Sequence, residues 1–394
     1  MKILVLSFYF YPDLSAGSFR NTALIKALQE QLPAGSCIDV ITTLPSRYAS
    51  FTADAPQYEE AEGIRIHRVS LPAHKSGMID QSQAFISFAL SAIKLSKSNN
   101  YDLVYASSSR LMTAVLGSFI AWKKKLPLYL DIRDIFVDTI KDVLSHKLVW
   151  ALKPLFSVIE RWAVSRAQKV NLVSAGFRKY FESRYPNKQF SYFTNGIDQE
   201  FIEAQPDEIY GSLSVEPVVV YAGNFGEGQG LHSIIPQLAK HFEGRLKFKL
   251  LGDGGRKEQL ETALRDHNVN NVELFAPVNR GSLIEIYQKA DVLFLHLNDY
   301  DAFLKVLPSK IFEYAAVGKP IWAGVSGYAA EFLRDNIGNA VVFHPCNVQQ
   351  AIDTFESLEL ETRPRKEFAN KFSRDGIMQE MATDILGLAE QKQS

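Results

Sequence analysis

Uninterrupted apolar runs, rather than alternating ones, mark the first half of the chain: Ile3–Phe8, Cys37–Thr42, Leu103–Ala106, Leu128–Asp131 and Val170–Val173. A strand that is apolar at successive positions is buried on both faces, as in a parallel sheet. Helical spacing fills the stretches between, as at Asn21–Gln31 and Lys147–Ala167. This alternation predicts a doubly wound α/β domain. Around Thr194 the pattern lapses into the polar, turn-rich TNGIDQEFIEAQPDEIYGSLSVEP. It then restarts at VVVYAGNFGEGQG and runs through LKFKLLGDG, VELFAP and DVLFLHL. The expectation is two Rossmann-like doubly wound domains, residues 1–198 and 199–373, joined near 194–216. The last stretch, residues 374–394, is helical with no strand after it.

Composition narrows the function classes. A chain of 394 residues suits about two domains, and 46% apolar with 22% charged residues suits full globular cores. A net charge of −1 gives no reason to expect nucleic acid. Cys37 and Cys346 stand far apart without metal-ligand spacing, which fits a reducing compartment. The opening MKILVLSFYFYPD reads as a buried strand rather than a secretory leader, since no small-residue cleavage site follows. The longest apolar candidate, LMTAVLGSFIAW, falls short of the roughly 20 residues that span a bilayer. A cytoplasmic protein is expected. The histidines form no catalytic or metal grouping, and neither G-x-S-x-G nor a P-loop occurs.

Open α/β sheets bind ligands at the carboxyl ends of their strands, so motifs at strand-to-helix turns carry the most weight. In LPSKIFEYAAVGKP, Pro308 suits a first helical position, Ser309 a cap, and Gly318 with Pro320 a stop. Lys310 opposes the positive end of that helix: either it swings into water, or it shares an anion with the helix N-terminus. Gly17 lies in a small-residue loop before a helix, suited to ligand approach or to a plain turn. YAGNFGEGQGL places Gly223, Gly226, Gly228 and Gly230 after a strand without matching G-x-G-x-x-G; it is a phosphate-approach loop or a structural one. Asp253 and the glycines of LLGDGGRKEQL line a base pocket or turn the chain. Asp131, Arg133 and Asp134 end a strand, where a carboxylate can act as base or hydroxyl ligand, and Asp131 with Arg133 can equally be a structural pair. Asp299-Tyr300-Asp301 resembles a short metal motif but is taken as coincidental. Trp150, Phe156 and Trp162, with Lys153, Arg161 and Arg166, read as core or as a lipid-docking face.

Taken in order, YPDLSAGSFR, DIRDIFVDTI, TNGID, YAGNFGEGQGL, GDGGRKEQL, VNRGSLIEIYQKADVLFL, LPSKIFEYAAVGKP and FSRDGIMQEM resemble the GT-B glycosyltransferases of the retaining family-4 group. DIRD with PSKIFEY is most similar to O-antigen and capsule transferases that handle N-acetyl-L-fucosamine and related amino sugars. The resemblance implies transfer from a UDP-sugar to a polyprenyl-diphosphate-linked saccharide, with retention, without metal or other cofactor, and with peripheral contact with an anionic membrane. It puts Glu313 on the ribose hydroxyls and Ser309 and Lys310 on the diphosphate, which Gly17 approaches from the other domain. Gly223, Asn224, Gly226, Gly252, Asp253 and Arg256 complete the donor side, and Arg20, Asp131 and Arg133 the acceptor side, with Asp134 as a catalytic carboxylate. The final helix is expected to return to domain one. Two departures stand out: Lys305 replaces the first glutamate of a Glu-x7-Glu pair, and Asn224 and Gln229 stand where relatives carry Arg and Lys. Lys305 is therefore expected to join Lys310 as a catalytic cation. A non-hydrolysing UDP-sugar 2-epimerase and a non-catalytic binding subunit are the alternatives.

Overall fold

The computed structural model describes residues 1–13, 15–45, 54–72, 78–108, 111–135, 146–211 and 214–390. The chain divides into two units, Met1–Asn195 with Arg374–Ser394, and Gly196–Ser373. The first crossing thus falls three residues before the expected 198/199 boundary.

The first unit holds one sheet built from β1 (Lys2–Ser7), β2 (Cys37–Thr43), β3 (Tyr58–Ala61), β4 (Ile64–Val69), β5 (Leu103–Ser108), β6 (Leu128–Ile132), β7 (Lys169–Leu172) and β8 (Gln189–Ser191). Their order is β3-β4-β2-β1-β5-β6-β7-β8, parallel throughout except for β3 against β4. Chain direction across the sheet reverses between β1 and β5, so their carboxyl ends flank the crevice where doubly wound folds bind ligands. The hairpin β3–β4 escapes the sequence reading because Ile64–Val69 alternates apolar with charged residues instead of running apolar. Its charges are used laterally: Arg65 pairs with buried Asp39 at 2.5 Å, and Arg68 with Glu59 at 2.9 Å.

The helix after β1 spans Ala16–Gln31, starting five residues earlier than its apolar spacing suggests. Gly17 therefore sits in a first helical turn, not in a loop, and the Ser15 hydroxyl accepts from the Ser18 N–H at 3.1 Å to cap it. The helix Arg374–Glu390 packs against Ala16–Gln31 and adds Met378, Met381 and Ile385 to the core that contains Val5, Leu24 and Tyr105. Its Asp384 accepts from Tyr129 Oη (2.9 Å) and Ser191 Oγ (2.6 Å) and pairs with Lys169.

The second unit repeats the architecture. After β9 (Tyr210–Gly211) come β10 (Val218–Asn224), β11 (Lys247–Asp253), β12 (Val272–Phe275), β13 (Val292–His296), β14 (Ile321–Gly324) and β15 (Ala340–Phe343), then β16 (Glu361–Thr362). The six-stranded parallel sheet runs β12-β11-β10-β13-β14-β15, and β9 pairs with β16. Here the switch point lies between β10 and β13. Apolar clusters cover both faces, one around Leu293, Ile311 and Phe312 and the other around Ile235, Phe248 and Trp322. Among the described residues, no helix is long and apolar enough to cross a membrane.

Candidate functional site

In the second unit Gly223, Asn224, Gly252, Asp253 and Lys310 of the predicted donor residues meet at the ends of β10 and β11. Gly223 and Gly252 are register partners at the ends of β10 and β11, both at φ +153°. A methyl at Gly252 would collide with the Gly223 carbonyl oxygen, so the two turns meet backbone to backbone. Phe225 N–H donates to Asp253 O (2.9 Å) and Arg256 N–H to Phe225 O (2.8 Å), stitching both turns together. The Asp253 carboxylate accepts from Gly254 N–H at 2.8 Å.

Lys310 reaches this floor from the helix Lys310–Ala316, which follows β13. Its Nζ lies 5.7 Å from the Tyr221 ring centroid, and a methyl on Gly223 would strike it. The Tyr221 hydroxyl donates to Asn224 O at 2.8 Å. Sequence positions 87 residues apart, Gly223 and Lys310, thus meet across the switch point. The far end of the same helix is held by Arg365, whose guanidinium donates to Ala315 O (2.8 Å) and Lys319 O (3.0 Å), where a cation also suits the dipole.

Glu313 stands out on that helix. Residues 311–320 are buried except Glu313, which alone in the run is partly exposed. Burial first, and then the Glu313 charge, pushes the Tyr314 phenol above its ordinary pKa. Ser309 departs from its expected cap role: its backbone is already helical (φ −60°, ψ −28°) and its side chain makes no cap hydrogen bond. Lys305 closes the short 3-10 helix Asp301–Lys305.

The uncharged glycine-loop residues are tied to each other, Asn224 Nδ2 donating to Gln229 Oε1 at 2.9 Å. Arg256, expected on the donor side, has a carboxylate partner in this structure. It pairs with Glu227 at 2.5 Å, and Glu227 also accepts from Tyr300 Oη at 2.7 Å. The Tyr300 hydrogen bond leads in holding the Glu227 carboxyl below its usual range. This gives the middle residue of Asp299-Tyr300-Asp301 a loop-bracing role. Sequence reasoning missed the loop's deepest anchor, His296. Fully buried at the end of β13, it lies 2.7 Å from Gln229 O through Nδ1 and accepts from Cys346 N–H at 3.0 Å through Nε2. A histidine closing the apolar run DVLFLH was the available signal.

In the first unit, Arg20 and Asp131 prove structural. Both are fully buried in a two-point pair, Nε to Oδ2 at 2.8 Å and Nη2 to Oδ1 at 3.0 Å. Arg20 also donates to Thr194 O (2.7 Å) and Phe193 O (2.8 Å), and Asp131 accepts from Asn171 Nδ2 (2.7 Å) and Tyr105 Oη (3.1 Å). Burial pushes the Asp131 carboxyl up, but the Arg20 charge together with the hydrogen bonds from Arg20 and Asn171 outweighs it, and the net shift is downward. With no exposed atom, neither residue can touch an acceptor, which corrects the acceptor-side reading for this pair. It corrects the pairing too, since the partner of Asp131 is Arg20 and not Arg133. Arg133 instead lies against Gly17, and Asp134 is exposed. Residues 136–140 of DIRDIFVDTI, the side chain of Trp150, and 391–394 lie outside the described residues.

Among the described residues, no group of three or more His, Cys, Asp or Glu could hold a metal ion.

Comparison with known proteins fits this arrangement. Residues 23–196 match the glycosyl transferase 4-like domain, and residues 206–375 match glycosyl transferases group 1. The putative colanic acid biosynthesis glycosyl transferase WcaI of Escherichia coli (strain K12) is 23% identical over 247 residues, 59% of this chain and 60% of the relative. The chain therefore spans about 60% of the length of that curated relative. Among solved structures, HepE of Anabaena in complex with UDP-glucose superposes with a TM-score of 0.66 at 17% identity, covering 98% of this chain and 100% of that one. WaaG, a glycosyltransferase involved in lipopolysaccharide biosynthesis, gives 0.63 at 12%, covering 99% and 98%. The trehalose 6-phosphate synthase of Burkholderia multivorans gives 0.70 at 13%, covering 100% and 97%. With one matched domain in each of its two Rossmann-like units, the chain belongs to the glycosyltransferases of the GT-B fold.

Proposed function

We propose that the protein transfers a sugar, an N-acetylated amino sugar, from a UDP-sugar to a saccharide carried on a polyprenyl diphosphate, in the assembly of a bacterial surface polysaccharide such as O-antigen or capsule. The observation that carries this reading is the Lys310 ammonium held over the Gly223 turn at the β10/β13 switch point. Transfer leaves negative charge on the departing UDP, and a cation already fixed in place stabilises it without reorganisation. At about 4 Å and an effective dielectric of about 20, that attraction is about 4 kcal/mol. A first-turn lysine costs only about 0.3–1 kcal/mol against the helix dipole, so a bound diphosphate explains its position. Glu313, the one partly exposed side chain in a buried run, is the acceptor for the ribose hydroxyls. The relatives support the classes named: HepE was crystallised with UDP-glucose, WcaI is named for colanic acid and WaaG for lipopolysaccharide.

Retention at the anomeric carbon and independence of metal belong to the same proposal, as does a cytoplasmic enzyme touching the inner membrane face. The helix His146–Arg166 supports that contact, because Leu155 (53% exposed), Val158 (66%) and the exposed Arg161 recur at three-residue intervals on one side. The test is a mass-spectrometric screen of UDP-sugars with a synthetic polyprenyl-diphosphate saccharide, with and without EDTA. Transfer that survives EDTA is expected. No turnover of any UDP-sugar would defeat the proposal, and UDP-GlcNAc converted without acceptor would make the protein an epimerase.

A further inference from the structure

Three successive carbonyls of the glycine loop, those of Glu227, Gly228 and Gln229, are held by the segment that ends β13 and leaves it. Asn298 donates through Nδ2 to Glu227 O (3.0 Å) and through its backbone N–H to Gly228 O (2.8 Å). His296, whose Nε2 accepts from Cys346 N–H at 3.0 Å, donates through Nδ1 to Gln229 O at 2.7 Å. This clamp is itself locked from behind. The imidazole is stacked between Phe294 and Phe343, and a methyl on Gly324, its register partner on β14, would strike it. The Cys346 thiol, in the turn after β15, donates to the Asn298 side-chain oxygen at 3.2 Å.

The loop so held, residues 223–230, contains no lysine or arginine. Gln229 accepts through Oε1 from Asn224 Nδ2 at 2.9 Å, and Asn224 follows Gly223, on which the Lys310 ammonium rests. No described residue accepts from Gln229 Nε2, and the residue is partly exposed, so this amide is open to a ligand beside Lys310. A neutral amide and a cation differ in how closely they must be placed. Moving a charge from about 4 Å to about 5 Å from its partner removes only about a fifth of the Coulomb attraction. A neutral hydrogen bond stretched by the same ångström beyond about 2.9 Å no longer exists. A loop that works through an amide therefore needs a stiff support, and the clamp from β13 is one.

We propose that His296 and Asn298 are positioning residues of the donor site. They act through the loop, holding Gln229 where its amide donates to the diphosphate of the nucleotide sugar beside Lys310. The inference rests on the UDP-sugar reading above and adds to it that preorganisation, in place of charge, is what the glycine loop contributes.

The test is calorimetry on the full chain with UDP and with uridine, comparing wild type, Asn298→Ala, His296→Leu, Gln229→Lys and Asn298→Ala combined with Gln229→Lys. Asn298→Ala and His296→Leu should each weaken UDP about tenfold, the effect of one to two neutral hydrogen bonds, and leave uridine unchanged. Asn298→Ala, the smaller change, serves if His296→Leu does not fold. A lysine at 229 acts over several ångström and has no need of the clamp, so in that background Asn298→Ala should cost UDP less than about twofold. Folded variants that bind UDP as wild type does, or that lose uridine as much as UDP, overturn the positioning role and leave the UDP-sugar reading standing. So does an undiminished loss in the Gln229→Lys background, since the amide is then not what the clamp positions. Wild type that ignores UDP defeats the UDP-sugar reading, and this inference with it.

Discussion

Acid should loosen the second unit through one buried imidazole. His296 accepts the Cys346 N–H on Nε2, so its proton sits on Nδ1 and is donated to Gln229 O. Burial lowers its pKa to about 4, against 6.5 for the free side chain. As pH falls through 6.5 the unfolded chain takes up a proton, while the folded chain refuses it until about pH 4. Stability from the neutral imidazole is therefore complete above 6.5 and is lost progressively down to 4. At about 1.36 kcal/mol per pH unit the full loss is about 3 kcal/mol, and about 2 kcal/mol has gone by pH 5. The assay is urea unfolding at about pH 7.5 and pH 5, with the second unit followed through Trp322, its sole tryptophan. His296→Asn keeps a donor and an acceptor but no proton to gain. Wild type should lose about 2 kcal/mol more than this variant between the two pH values. Equal losses, or an NMR titration placing His296 near 6.5, would refute the reasoning.

Three further outcomes are expected. Glu313→Ala should abolish measurable UDP binding in a folded protein, since each charge-assisted hydrogen bond to ribose contributes about 1.5–3 kcal/mol; unchanged affinity by calorimetry removes the residue from the donor site. Lys305→Ala should lower kcat roughly a hundredfold, on the order of 2.7 kcal/mol, with little change in donor KM, because its charge acts as UDP departs; near wild-type kcat beside a dead Lys310→Ala enzyme would leave the work to Lys310. Leu155→Asp with Val158→Asp should reduce flotation on anionic liposomes at least tenfold, given about 1.5–3 kcal/mol for burying each apolar side chain; wild type that stays wholly in solution contradicts the membrane contact.

The doubly wound units were legible because strands buried on both faces write continuous apolar runs, and the ends of β1, β2, β5, β6 and β7 fall within two residues of those runs. β3 and β4 were not legible, since an edge hairpin settled by Arg65–Asp39 and Arg68–Glu59 pairs reads as polar loop. At the site, Lys310 was legible as an anomaly: a cation where the helix dipole disfavours one. The fates of Arg20, Asp131 and Arg256 were not. An arginine or aspartate at a strand end looks the same in sequence whether it meets a ligand or a buried counter-ion. Only the fold shows that Arg20 closes on Asp131 across 111 residues, or that Arg256 closes on Glu227.

The helix Arg374–Glu390 has a consequence for biosynthesis. The core of the first unit takes Ile3 and Leu28 from one end of the chain and Met378, Ile385 and Ala389 from the other. During translation the first 195 residues leave the ribosome with one wall of that core missing, while Gly196–Ser373 is one continuous segment with every strand of its own sheet. The usual N-to-C order of domain folding is thereby inverted. The second unit can close first, and the first must wait for the last helix, exposing Leu24, Leu28 and Tyr105 to chaperones in the interval.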